Sequence, residues 1–382
     1  MRLFLVEWKK VIHQKLFWII GVLLISYSLW CFVQIYKTYQ RMGDCSIQKW
    51  ESMKQNAEKF LETYNKESSK GKEMSREERE EVETYEKKIA FAEQMILNYQ
   101  NGDWRSVVEE QLRLERERLN EMTPVYEEEV IREIQFQVAQ YEYLLNYDIP
   151  IWKNKMQING WNIIYKIMQA IIPWTVFGIG ILSSITMSRE RKTLTNLFVV
   201  PYGRGAVILS KFMVLITAGG IFLTVSVGIP ALIAIVMNGM GSYNYPIQVG
   251  QRILQISGEK ELAPLIICIT AVFYNGMLFL SLVSAFSMFC SICLMDSKRS
   301  VGLVISVFIL GTLLSNQCLS QEIIPVFGYG NSEFLLAGMW DFLTGMWIML
   351  VLVLLFLMGC VALINKSEFC SKGGGSDYGI KC

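Results

Sequence analysis

The sequence predicts an all-α integral membrane protein: six transmembrane helices, with a charged helical hairpin or coiled-coil domain outside the membrane after the first. Three observations carry that expectation. Hydrophobic residues make up 52% of the 382 residues and charged ones only 19%, and the apolar residues are gathered into blocks. The blocks are long enough to cross about 30 Å of hydrocarbon. Basic residues cluster at block edges while acidic ones concentrate between Asp44 and Asp148, so the net charge of +1 conceals a strong segregation. No nucleic-acid partner is implied. Cys31, Cys268, Cys290 and Cys360 fall inside apolar blocks and Cys370 and Cys382 follow the last one. Cys45 and Cys318 are expected to face outside, where they could pair, although nothing in the sequence brings them together.

Residues 1–15 place Phe4, Trp8, Val11 and Ile12 on one helical face, with Glu7, Lys10 and Gln14 elsewhere. Such a helix lies flat on the inner leaflet; the plainer alternative is the basic flank of a signal anchor. His13, the lone histidine among basic neighbours, reads as a surface residue. Residues 16–36 form the first span, with aromatic residues at both ends and no small-residue cleavage site, so the amino terminus is expected inside. Residues 37–160 change character: Glu, Lys, Gln and Arg dominate, and helix signals recur. Ser75 with Glu78 and Ser106 with Glu109 have capping-box spacing, Thr123 precedes Pro124 as an N-cap precedes an N1 proline, and Asn101, Gly102 and Asp103 supply a turn. Val130, Ile134, Val138, Tyr141 and Leu145 step by three or four and suggest a coiled-coil seam. The acidic excess reads as a solvated surface or as a cation-binding face. Trp152, Met156, Ile158 and Trp161 mark an interfacial re-entry segment over 151–162.

The second span runs over 163–187 and contains Pro173; the third, 206–237, has Gly219 and Gly220 for close packing and Pro230 near its outer end. A polar outer loop, 238–261, leads to the fourth span, 262–295, and a short basic turn, 296–299, leads to the fifth, 301–319. An outer segment without Lys or Arg, 320–341, precedes the sixth span, 342–364, and a tail with Lys366, Lys372 and Lys381. Basic inner loops and uncharged short outer ones place both termini in the cytoplasm and 37–160 outside the cell.

The stretch from Ser188 to Lys211 joins the second and third spans. Arg189, Glu190, Arg191 and Lys192 form a charged cluster, Leu194, Leu197 and Phe198 recur at helical spacing, and Pro201 with Gly203 breaks the helix. This order of elements resembles the ABC-2 family of ABC transporter permeases. The resemblance rests on the amphipathic amino-terminal helix, the loop from Glu190 to Lys211, the tight turn after the fourth span and the segment 320–341 with Pro325 and Gly328. It implies that Glu190, Arg191, Lys192, Leu194, Leu197, Phe198, Pro201, Arg204 and the closing Lys211 form a coupling helix docked into a groove on an ATPase subunit. It implies too that 320–341 is a re-entrant outer hairpin. The domain at 37–160 departs from the family pattern, in which a short loop is usual, and bears on the substrate.

The chain lacks G-x-x-x-x-G-K-[ST]: Gly71-Lys72 has no preceding glycine, and Gly373 to Gly375 no lysine. No catalytic residue, metal site or cofactor is expected on this chain, and ATP with magnesium belongs on the partner. Power must arrive through the charged amphipathic loop, whose alternative reading is a stop-transfer flank. Leu194, Leu197 and Phe198 in register favour coupling. The VFGYG at 326–330 matches a potassium-channel filter over five residues and lacks a Thr-rich pore helix. Cys290 and Cys293 have no second pair to complete a metal site. Asn275 and Gln169 within spans invite interhelical hydrogen bonding or contact with a translocation path. No Asp, Glu or Lys lies at mid-depth, which argues against proton coupling.

The expected function is a bacterial plasma-membrane permease subunit of an exporter. It is expected to pair with a second copy or a related permease and with two ATPase chains, and to carry a lipophilic or amphipathic cargo such as an antimicrobial peptide or drug. Ion efflux is the alternative cargo. A sensor or scaffold whose ectodomain binds an extracellular partner is the alternative class.

Overall fold

A computed structural model describes residues 2–68, 76–121, 128–154, 156–194, 203–249, 262–294, 296–316 and 342–372. Its elements are α1 (Arg2–Ile12), α2 (Lys15–Met42), α3 (Cys45–Ser68), α4 (Arg76–Gln100), α5 (Trp104–Glu121), α6 (Glu128–Asn146), α7 (Gly160–Leu194), α8 (Arg204–Asn238), β1 (Pro246–Gln248), β2 (Leu262–Pro264), α9 (Leu265–Leu294), α10 (Ser297–Asn316) and α11 (Phe342–Lys372). The chain divides into two units. One comprises Met1–Val33, Asn159–Gly241 and Val249–Cys382, the other Gln34–Ile158 and Ser242–Gln248.

The first unit is a membrane body that is helical apart from β2. In lipid every backbone N–H and C=O must be satisfied within the protein, which a long helix does by itself. Among the described residues five helices are long and apolar enough to cross a membrane, at α2, α7, α8, α9 and α11. α10 holds the start of the expected fifth span, whose last residues lie outside the described ones. Val22, Leu23, Leu232, Val236, Leu355 and Met358 are large, apolar and exposed, as side chains facing acyl chains are. The interior is built on α7: Ile163, Ile167, Ile171, Ile179 and Leu182 are fully buried, and α7 packs on α8, α9 and α10.

Close approach is made by glycine. A Cβ at Gly276 of α9 would sit 2.6 Å from Ile172 of α7, and one at Gly219 of α8 would collide with Leu280 of α9, whereas Gly220 has only Met277 at 3.7 Å. Pro173 and Pro230 lie inside α7 and α8, and both helices continue through them. The start of α7 is closed from two sides. Asn159 Oδ1 accepts from the Asn162 N–H at 2.9 Å, and the N–H groups of Gly160 and Trp161 donate to the Gly239 and Met240 carbonyls, both at 3.1 Å.

The second unit is helical apart from β1. Gly43, with φ +63°, ends α2, and Gln48 Nε2 donates to the Met42 carbonyl at 2.9 Å. α3 packs on α4 and α5 on α6. Trp50, Met95 and Val107 make a core with Phe91, Ile96, Tyr99 and Leu114 against it. The turn at Asn101–Gly102 is present, but the cap of α5 is Asp103 and not Ser106: Asp103 accepts from the Ser106 N–H at 3.2 Å and from its hydroxyl at 2.6 Å. In α6 Ile134 is buried and Val138 and Tyr141 half-buried, while Leu144 takes the fully buried place expected for Leu145. Residues 147–154 and 156–158 are irregular, and Trp152 stacks on Tyr245, centroids 3.7 Å apart. The two strands, three residues each, were not foreseen in the apolar pattern. Ser75, Thr123, Pro124, Cys318, the segment 320–341 and the end of the tail from 373 lie outside the described residues.

Candidate functional site

The stretch expected to receive force begins where α7 outlasts its apolar core. α7 continues as helix through Arg189, Glu190, Arg191 and Lys192 to Leu194, a stretch without Gly or Pro. Leu197, Phe198 and Pro201 lie outside the described residues, and Arg204 opens α8. The Gly203 carbonyl accepts the Ala206 and Val207 N–H groups at 2.9 and 3.3 Å, so α8 starts sharply.

Against this junction lies α1. Its connection to α2 is tight: Gln14 N–H donates to the Val11 carbonyl, and the Trp18 indole donates to the Ile12 carbonyl at 2.9 Å, which occupies an acceptor that the helix end would otherwise leave open. Glu7 was expected off the apolar face; in the structure it is the buried centre of that face. Phe4, Glu7 and Val11 are separated by three and four residues, so the same periodicity that aligned the aromatic residues puts the carboxylate among them. Glu7 Oε2 accepts from Lys211 Nζ of α8 at 2.6 Å, and the two side chains are 2% and 3% exposed. Lys10 Nζ adds a second contact to Glu7 Oε1 at 2.8 Å. Burial by itself would push the Glu7 carboxyl up, yet Lys211 and Lys10 together hold it below the usual carboxylate value. A third contact ties the start of α2 to α7, where Gln14 Nε2 donates to Thr186 Oγ1 at 3.3 Å.

Behind the junction runs a layer of buried serines. Ser183 of α7 donates to the Ser284 carbonyl of α9 at 3.1 Å, Ser291 of α9 donates to the Ser184 carbonyl at 2.8 Å, and Ser300 of α10 reaches Ser184 Oγ at 3.3 Å. These bonds join α7, α9 and α10 at the same end of the bundle. Nothing in the hydropathy pattern singled them out, since serine is common in spans.

Asn275 is 1% exposed, beside Gly276 on α9, and Gln169 is half-buried one turn before Ile172 on α7. The contact between positions 276 and 172 therefore puts both at one level of the bundle, with Asn275 in its interior. An apolar groove of about 420 Å³ opens between α8 and α11, lined by Ile208, Leu209, Leu357, Met358 and Val361 among others. Among the described residues no three His, Cys, Asp or Glu side chains converge as a metal site.

Residues 1–327 match the family described as ABC-2 family transporter protein. No curated protein and no solved structure matches the chain.

Proposed function

The chain belongs to the ABC-2 transporter family, and from that premise we propose that this membrane subunit works as an exporter permease powered by a separate ATPase through the α7–α8 loop. The observation that supports the loop as the point of entry is its anchorage. The helices that flank it are tied, α8 to α1 through Glu7–Lys211 and α7 to the α1–α2 junction through Gln14–Thr186, so a push on the loop meets a braced structure. In this reading both termini and the loop are cytoplasmic, residues 37–160 are extracellular, and two ATPase copies serve two permeases. Glu190 and Arg191 pair with charges on the ATPase, Lys192 and Arg204 flank the contact, and Leu194, Leu197 and Phe198 fill its groove up to the break at Pro201. Gln169 and Asn275 border the path, whose surroundings and the apolar groove beside α8 suit a lipophilic or amphipathic cargo. ATP and magnesium are held by the partner.

Replacing Leu197 and Phe198 together with Asp should abolish co-purification of the ATPase subunit while the permease still inserts. Undiminished co-purification would remove the loop from this role.

A further inference from the structure

We propose that Cys293 and Cys360 form a redox site, a thiol pair that closes into a disulfide when low-molecular-weight disulfides accumulate and so staples α9 to α11. The pairing follows from the seam between these helices. On α11, Met349, Val353, Phe356 and Cys360 step by four, three and four residues, and Met349, Val353 and Cys360 are buried, which makes them one stripe. Phe356 packs against Phe286 and Phe289 of α9, with ring centroids 5.3 and 5.6 Å apart, and a Cβ at Gly359 would come within 2.9 Å of Phe289. One turn further along both helices, Cys290 and Cys293 lie within electrostatic reach of the Cys360 thiol. The two helices therefore run parallel here, and Cys360 brings to the C-x-x-C a thiol that no local spacing announces. Cys290 and Cys293 do not serve each other: positions i and i+3 of a helix hold their Cβ atoms about 5–6 Å apart, whereas a disulfide needs about 3.5–4.5 Å. Access separates them as well. Cys290 and Cys360 are 4% and 0% exposed, while Cys293 is open. Cys293 stands three residues before Asp296, which accepts from the Lys298 N–H at 3.0 Å and pairs with Arg299 at 3.6 Å. Its thiol is thus at the edge of the apolar block, beside two cations that draw an anionic disulfide such as oxidised glutathione. The Cys293 thiolate attacks one sulfur of that disulfide, forming a mixed disulfide and releasing one thiol. Cys360 then gives up its proton and attacks Cys293 Sγ, which forms the Cys293–Cys360 bond and expels the second small thiol with that proton. Two protein thiols are oxidised and one small disulfide is reduced. The resting state alone rests on the reading above: with the turn at 296–299 in the cytoplasm, the site is a dithiol that closes only under oxidative load.

The test uses the full chain in lipid nanodiscs, equilibrated with mixtures of reduced and oxidised glutathione, quenched with acid, alkylated and digested without reduction for mass spectrometry. The Cys293–Cys360 peptide should be absent where reduced glutathione is in large excess, appear as the oxidised form comes to dominate, and vanish on addition of dithiothreitol. Cys360→Ser should stop at Cys293 carrying one glutathione, because the second attack has lost its thiol. Cys293→Ser should slow the loss of the Cys360 thiol by about a hundredfold, because an enclosed thiol is out of reach of the oxidant. Cys290→Ser should leave the cross-link intact. The proposal is overturned by glutathione that stays on Cys293 of the unaltered chain, by a Cys290–Cys360 peptide in place of the expected one, by a Cys360 thiol lost as fast in Cys293→Ser as in the parent, or by a cross-link that survives in reduced glutathione. No arm uses the ATPase, so a chain that captures no ATPase yet closes the pair fails the coupling reading and upholds this site.

Discussion

A carboxylate and an ammonium placed where each is at most 3% exposed must offset the loss of water by attraction to opposite charge, and Glu7 finds it in Lys211 at 2.6 Å and in Lys10 at 2.8 Å. Removing one partner is accordingly expected to cost far more than removing both. Glu7→Gln alone should lower stability by about 3–5 kcal/mol, Lys211→Met by less because Lys10 still faces Glu7, and the double variant, Glu7→Met with Lys211→Met, should lie within about 1 kcal/mol of the parent or above it; thermal unfolding in detergent of the three variants measures the ordering. The acid limb follows from the sign of the Glu7 shift. A carboxyl held below its ordinary value contributes stability that is complete above the unfolded value and disappears as pH falls through the folded one. The parent should therefore lose its melting temperature more steeply than the double variant below about pH 4.5, and parallel acid limbs would show that the pair stores no such stability. Much of this site was open to reading in advance: Lys211 stands out as a lysine inside an apolar run, and Glu7 is in step with Phe4 and Val11. What the sequence lacks is any sign that the two meet, because a contact across 204 positions leaves no local periodicity.

Helices in this protein are specified by two different chemistries, and sequence reading succeeds unevenly with them. In the membrane unit the apolar blocks announce the spans, but α7 and α8 each run to 35 residues, well beyond the roughly 20 that a crossing needs. The serine layer shows the part that hydropathy misses. Small hydroxyls let α7 and α9 approach while each bonds a carbonyl on the facing helix. Ser291→Ala should cost about 0.6 kcal/mol, a lost interhelical bond, whereas Ser291→Leu should cost about 1–3 kcal/mol by overpacking the same contact; a larger loss for alanine than for leucine would mean that the layer is not a packing contact. In the helical unit the charge pattern announces α3 to α6, while the burial that holds them is concentrated in few residues. Trp50 is fully buried against Met95 and Val107, and Trp50→Ala should cost about 3–5 kcal/mol in the helix-monitored transition. The cap at Asp103 was missed in favour of Ser106 because both are good N-cap residues and only the position of the preceding turn separates them.

At the scale of the molecule, the membrane unit is discontinuous in sequence: the helices before Val33 pack with those after Asn159, and a second body with its own core interrupts them. The segregation of acidic from apolar residues made that division legible, yet not how short a bridge would close it. The structure supplies the missing length. Asn154 Nδ2 donates to the Gly43 carbonyl at 2.7 Å and lies 3.5 Å from that of Tyr39, so the ends of the inserted segment meet. Excision of residues 44–153 with a short glycine–serine joint should consequently leave a chain that still inserts, keeps the α7–α9 and α7–α8 packing, and still captures the ATPase through the loop at 188–204. Loop-closure entropy favours this outcome, since replacing a long insertion by a few residues reduces the cost of bringing α2 back to α7. If such a chain binds the ATPase and hydrolyses ATP but no longer exports, the helical body acts on the cargo outside. If it loses the ATPase altogether, the loop is not sufficient for assembly, and the sensor reading, in which the six spans merely hold the helical body, would take its place.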